Sequence, residues 1–102
     1  MTLDEFSATL TASAPPAGLP DVLVALWHDA RGDWDRAHTV AQDVPDPDGA
    51  WVHAYLHRKE GDSANAGYWY RRAGRPAATG SLPDEWRAIV TAFLARGAAQ
   101  SS

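Results

Sequence analysis

Trp51-Val52-His53-Ala54-Tyr55-Leu56-His57-Arg58-Lys59-Glu60-Gly61-Asp62, running on to Tyr68-Trp69-Tyr70-Arg71-Arg72-Ala73, is the stretch whose reading decides the fold. It is the most aromatic part of the 102-residue chain and holds two of its four histidines. Trp51, Val52, Tyr55 and Leu56 recur at the spacing of one helix face. Gly61 can stop that helix, and Asp62 can cap a second one in which Ala66, Trp69, Tyr70 and Ala73 trace the inner face. The stretch therefore predicts two helices, at about 49–60 and 63–74, joined by a tight turn.

An echo lies upstream. Placing Gly32-Asp33 over Gly61-Asp62, an offset of 29 residues, sets Ala25 on Ala54, His28 on His57, Ala37 on Ala66 and Pro47 on Pro76. Apolar positions match as well: Leu23 with Val52, Leu26 with Tyr55, Val40 with Trp69 and Val44 with Ala73. The shared skeleton is Ala-x-x-His-x-x-x-Gly-Asp-x-x-x-Ala. Two similar helix–turn–helix units are what helical-repeat proteins are made of. Small residues at Ala25, Ala54, Ala37 and Ala66 let paired helices approach closely, and mid-helix Gly67, which costs roughly 1 kcal/mol in propensity, is expected to serve the same purpose.

Gly61-Asp62-x-x-x-Ala66-x-x-Trp69-Tyr70-Arg71-Arg72-Ala73 resembles the second helix of tetratricopeptide repeats. It is closer still to their Sel-type relatives, whose second helix commonly reads Ala-x-x-Trp-Tyr-x-Lys-Ala. The resemblance covers about residues 20–76 and implies an architecture and a binding habit, not a chemistry. The period here is shorter than in either family. His28 and His57 stand where those repeats usually place an aromatic, and Trp27 and His53 depart from their consensus.

Around the two units the chain supplies ends. Thr2-Leu3-Asp4-Glu5 is a capping box, with Leu3, Phe6 and Leu10 on one stripe of a short helix over about 3–12. Pro15 and Pro16 end it in an extended connector, and a short helix so tethered can dock on its own chain or on a neighbour's. Val22, Leu23, Leu26, Trp27 and Ala30 predict a helix over about 20–31. Trp34, Ala37, Val40, Ala41 and Val44 predict another, capped by Asp33 and ending at the turn Pro45-Asp46-Pro47-Asp48-Gly49. A last helix opens at Ser81 or Leu82 and carries Trp86, Ile89, Val90, Phe93 and Leu94. The expected division is a helix and connector (1–18), a first unit (19–47), a second unit with its loop (48–80), a C-terminal helix (81–97) and a tail (98–102). No segment alternates with period two, so the class is all-α.

Composition narrows the function. A chain this long makes one domain. With no cysteine there are no disulfides and no thiolate sites, and a formal net charge of −4 argues against nucleic acid. No apolar run suits a membrane span, and acids near Met1 speak against a signal peptide, so a cytoplasmic protein is the expectation. The charge is divided: seven acids face Arg31 and Arg36 between Asp21 and Asp48, whereas Arg58, Lys59, Arg71, Arg72 and Arg75 outnumber Glu60 and Asp62 between Gly49 and Pro76. Such a split means two solvated faces, an anion-seeking patch, or charge-matched self-association.

Three groups of residues carry potential chemistry. His53 and His57, four apart, share one side of a helix at a spacing that can chelate a divalent metal, with Glu60 one turn on. His28 on the earlier helix is expected to approach His57, and His38 to complete the set, a composition suited to zinc, nickel or iron. The bland alternative is that these histidines are packing residues. Asn65, Tyr68, Arg71 and Arg72 form a second stripe which, with Arg58 and Arg75, can hold a carboxylate or phosphate; its alternative is ordinary surface arginine bonded to acids of the first unit. Third, five tryptophans come one per long helix, and most belong to the core.

The function expected from these features is non-enzymatic binding of a protein or peptide partner, or of a small anionic ligand, in a helical groove. Homodimerisation through the terminal helices would fit that role. The competing reading is a small-molecule or metal-dependent enzyme using His28, His53, His57 and Glu60. Convergence of these side chains on one pocket is the feature that separates the two.

Overall fold

The computed structural model describes the backbone of residues 1–101 and the side chains of residues 1–96. Among the described residues the chain is all-helical, without strands. Helix α1 spans Leu3–Ala8 and runs into a 3₁₀ turn at Thr9–Thr11. Helices α2 (Asp21–Ala30), α3 (Trp34–Gln42), α4 (Asp48–Lys59), α5 (Ser63–Ala73) and α6 (Leu82–Ser101) follow. The tail expected at 98–102 lies outside the residues whose side chains are described. None of these helices is long and apolar enough to cross a membrane.

Two hairpins make up the body. Helices α2 and α3 pack closely, as do α4 and α5, and α4 also touches α2, α3 and α6. Every residue of α4 from Gly49 to His57 is buried. A helix enclosed on all sides normally carries apolar residues all round, yet this one brings in two imidazoles. Of the inner faces predicted for α2 and α4, Val22, Leu23, Leu26, Trp27, Trp51, Val52, Tyr55 and Leu56 are core, joined by Trp86, Ile89, Val90 and Phe93 of α6, whereas Ala30 at the end of α2 is exposed. Of the five tryptophans, Trp27, Trp51 and Trp86 are buried while Trp34 and Trp69 are half-buried.

The two inter-helix turns have one geometry. Gly32 and Gly61 take φ values of +84° and +92°, open to glycine at little cost. Asp33 and Asp62 follow as N-caps, accepting from Arg36 N (3.1 Å) and Asn65 N (3.2 Å). The Asp33 and Asp62 amides donate to the carbonyls of His28 (3.0 Å) and His57 (2.9 Å). Ala25, Ala37, Ala54 and Ala66 are all buried, as their small size at close helix contacts requires.

The N-terminal helix docks on its own chain. Its capping box is formed, with Thr2 N donating to Glu5 Oε1 (2.8 Å) and Glu5 N to Thr2 Oγ1 (3.1 Å). Phe6 is fully buried with its ring 5.9 Å from that of Trp86. Arg31 Nη1 donates to the carbonyls of Leu10 (2.7 Å) and Ala12 (2.6 Å), and Trp27 Nε1 to Thr9 Oγ1 (3.2 Å). With α1 so covered, the large apolar side chains left exposed among the described residues are Met1 and Tyr68.

Two buried carboxylates tie the elements together, and neither was visible in the sequence pattern. Asp29, 1% exposed, accepts from Tyr55 Oη (3.0 Å) and Lys59 Nζ (3.0 Å). Glu85 accepts from Arg58 Nη1 (2.9 Å) and from the Tyr70 hydroxyl. Burial, followed by the neighbouring carboxylate, pushes the Tyr55 hydroxyl far above the ordinary tyrosine range, and Tyr70 shifts the same way. The charge division seen in the sequence resolves in part within the chain: Lys59 reaches Asp29 and Arg72 reaches Asp46, joining the basic stretch to the acidic one.

Close approach falls on a different glycine from the one expected. A Cβ on Gly67 would meet only the end of the Arg71 side chain, at 3.5 Å. A Cβ on Gly49 would land on the Val44 carbonyl, where backbone must give way. Gly67→Ala should therefore stabilise the protein by up to about 1 kcal/mol through helix propensity, whereas Gly49→Ala should destabilise it by about 1–3 kcal/mol through overpacking. Urea unfolding of both variants checks the pair, and equal effects at the two positions would contradict this packing.

Candidate functional site

Three helices bring their rings together in one packed cluster. From α3 come Trp34 and His38, whose rings stack at 4.9 Å with an interplanar angle of 12°. From α4 come His53 and His57, 6% and 8% exposed, their rings 6.0 Å apart. From α5 comes Trp69, 4.4 Å from His53, with Tyr68 edge-on to it at 5.3 Å. His38 closes the set, 4.9 Å from His53 and 5.3 Å from His57. Trp34 also lies 6.1 Å from His57, and its Nε1 donates to the Leu56 carbonyl (2.8 Å), which pins the α3 wall to α4.

The arrangement follows from helix periodicity. Trp34 and His38 are four apart, as are His53 and His57, so each pair stands on one side of its helix. Because α4 is enclosed, its histidine side must face protein, and α3 and α5 provide the walls. His53 and His57 of the polar stripe are thus covered by α3 and α5, whereas Glu60, one turn on, is exposed.

Charged groups sit at the two ends. His57 Nδ1 and Glu60 Oε1 are 2.6 Å apart at the C-terminus of α4, with Asp62 beyond them at the N-cap of α5. At the other end the Arg72 guanidinium lies 4.6 Å from the Trp69 ring centroid and 5.7 Å from that of Tyr68. Its Nε donates to Asp46 Oδ2 (2.9 Å) in the α3–α4 turn, and its Nη1 to the Tyr68 hydroxyl (3.2 Å). Asn65 is half-buried on the first turn of α5, and Arg71 is exposed.

Two expected groupings do not form. His28 does not join the other histidines; its ring meets Trp27 edge-on at 5.1 Å, and burial, then the Arg36 charge, disfavours its protonation against a smaller opposing effect of Asp33. The wall against His57 is supplied instead by α3, through Trp34 and His38. Nor do the arginines converge on an anion. Arg58 is held by Glu85 and by the Gly80 carbonyl, Arg72 by Asp46, and Arg75 stacks 3.4 Å from the Trp51 ring centroid. Trp34, Asp46 and Asp62 belong to the site but were read as core, turn and cap. The i, i+4 spacing of Trp34 and His38 is the one signal that pointed to the first of them.

Burial sets the protonation state of the cluster. Desolvation, then the neighbouring His38 and His57, pushes His53 down to about 4, against partial compensation from Asp46. His38 is lowered too, chiefly by burial and then by His57. His53 is therefore a neutral imidazole at neutral pH, able to stack, to accept a hydrogen bond or to ligate a metal.

Searches against protein-family models, curated proteins and solved structures find no match to this chain. The reading of the site rests on its own chemistry.

The lowered His53 value fixes the sign of a pH effect. Because the folded value lies below the unfolded one of about 6.5, the unfolded chain takes up this proton first as pH falls. Stability contributed by neutral His53 is fully present above about pH 6.5 and is lost as pH falls toward 4. Acidification across that window should lower unfolding free energy on the order of 2 kcal/mol, with His53 ring protons titrating below those of an exposed histidine. Histidine-resolved NMR titration checks this, and an ordinary His53 midpoint near 6.5 would show that the cluster is wet.

Proposed function

We propose that the protein is a non-enzymatic binding domain, a compact pair of helical hairpins akin to tetratricopeptide and Sel-type repeats, whose working face is the ring-lined surface across α3, α4 and α5. The observation that carries the reading is the unbroken run of rings from Trp34 through His38, His53 and Trp69 to Tyr68. That run passes from half-buried Trp34 through buried His53 to Tyr68, which at 46% exposure is a large aromatic left in solvent beside a stacked arginine. Tyrosine, tryptophan and arginine at the edge of a desolvated patch are the residues that most often anchor partners. The matched turns at Gly32-Asp33 and Gly61-Asp62 support the comparison with helical repeats.

The partner this face suits is a peptide segment of a protein. Half-buried rings offer planar contact along the surface, and Glu60 and Asp62 at one end and the Arg72–Asp46 pair at the other offer polar anchors of both signs. A small anion is less well served, because Arg58 and Arg72 already have acidic partners.

One observation favours a second reading, an enzyme with an imidazole centre: three histidines meet and one of them is kept neutral. In that case His53 is the proton acceptor or metal ligand, His57 is paired to Glu60, and His38 takes the place expected of His28.

Selection of peptides from a displayed library against the full chain tests the binding reading. Peptides that occupy this face should lose about tenfold or more in affinity on Tyr68→Ala or His38→Ala, each worth more than about 1 kcal/mol at an anchor. Selected peptides that bind both variants as tightly as the original protein would place the working face elsewhere and sink the proposal.

A further inference from the structure

The α4–α5 turn gathers three metal-binding side chains that no packing role requires to be together. Ligand atoms of His57, Glu60 and Asp62 all lie within 4.8 Å of one another. The three come from one short segment: His57 in the last turn of α4, Glu60 at its C-cap and Asp62 at the N-cap of α5. The carboxylates are exposed and can adjust, while the imidazole is buried and fixed by Trp34 and His38. An ion bonded at about 2.1 Å to nitrogen and oxygen donors holds them roughly 3–4 Å apart, so small rotations of the two carboxylates suffice.

Charge favours a cation at this place. The neighbouring cations are turned away, Arg58 to Glu85 and Lys59 to Asp29. Among the described residues, neither Glu60 nor Asp62 has an arginine or lysine partner; Glu60 pairs only with His57. Two carboxylates therefore stand side by side at the negative end of the α4 dipole.

The first hairpin supplies an internal comparison. Its turn has the same glycine conformation and the same aspartate cap, and His28, Arg31 and Asp33 occupy the places of His57, Glu60 and Asp62. There a guanidinium replaces the middle carboxylate and is bound to the Leu10 and Ala12 carbonyls. One backbone turn thus carries a cation of its own in the first hairpin and a cation-ready donor set in the second.

We infer that His57 Nδ1, Glu60 and Asp62 form a binding site for a first-row divalent cation such as zinc, with water completing the coordination shell. Mixed imidazole and carboxylate donors suit zinc, manganese or iron(II). The ion would take the place of the direct contact between His57 Nδ1 and Glu60 and tie the end of α4 to the start of α5. The site needs no peptide on the ring-lined face, so it is read separately from the binding proposal above.

Calorimetric titration of the untagged full chain with zinc at neutral pH, without any peptide, is the test. One zinc per chain is expected. Glu60→Gln and Asp62→Asn should each weaken binding at least about tenfold, the scale at which support of a metal site is felt. Asparagine also caps helices, so Asp62→Asn should keep the metal-free melting temperature, which separates lost ligation from lost folding. His28→Gln should bind as the original does. Ring-nitrogen NMR should show zinc perturbing His57, with no ligation shift at His38 or His53. Absence of binding at millimolar zinc, unchanged affinity in either carboxylate variant, or ligation shifts at His38 or His53 instead would overturn the inference.

Discussion

Enclosure of α4 is the constraint on which the rest of the structure depends. Nine successive residues, Gly49 to His57, have no face toward solvent, so every side chain on them must find a protein partner. The apolar members are met by α2 and α6. Tyr55 is met by the buried carboxylate of Asp29, whose other oxygen takes Lys59. His53 and His57 are met by rings, because an imidazole kept neutral can stack where an ammonium or carboxylate would demand an ion pair. Burial of the helix and the lowered protonation of His53 are thus one fact seen twice. Gly49 belongs to the same account: the start of α4 runs so close to the end of α3 that no side chain fits there.

The buried charges serve that enclosure. Asp29 on α2 reaches two residues of α4, and Glu85 on α6 reaches Arg58 of α4 and Tyr70 of α5. No buried side-chain polar atom among the described residues lacks a partner. Replacing one member of such a set leaves the others buried and unsatisfied, which costs more than the bond itself contributes. The Glu85 network holds α6 against the second hairpin, and Trp86 Nε1, donating to the Leu26 carbonyl (3.0 Å), holds it against the first.

How much of this was legible in the sequence differs from residue to residue. Helix existence and order were, because Gly32-Asp33, Gly61-Asp62 and the proline-rich turn at 45–49 punctuate strongly periodic apolar stripes. The convergence of His53 with His57 was legible from their spacing of one turn. What hid the rest was α4 itself. Periodicity assigns a helix one inner and one outer face, so His53 and His57 were read as outward, and Trp69 as core against them. A helix enclosed all round has no outer face, and which neighbour covers its polar side depends on the tilt of α3 against α2, for which the chain carries no local signal. For the same reason His28 was paired with His57 by analogy between the units, when the contact is made by His38. Asp29 and Glu85 look like solvent acids in sequence, since their partners are 26 or more residues away for Asp29 and 15 and 27 away for Glu85.

The two hairpins share a turn but have different surroundings, and the N-terminal segment accounts for the difference. Arg31 and Trp27 at the first turn bind the carbonyls and hydroxyl of residues 9–12, which ties that turn to the chain that precedes it although Arg31, Gly32 and Asp33 stay exposed. The second turn, equally exposed at Glu60, Gly61 and Asp62, has no such tie among the described residues, and Glu60 bonds instead to His57. Position 31 is basic where it must hold carbonyl oxygens, and position 60 is acidic where it faces water and an imidazole. Packing leaves both positions free to differ, because both lie outside the core, and the difference follows the local partner: carbonyls of the N-terminal segment at the first turn, an imidazole at the second.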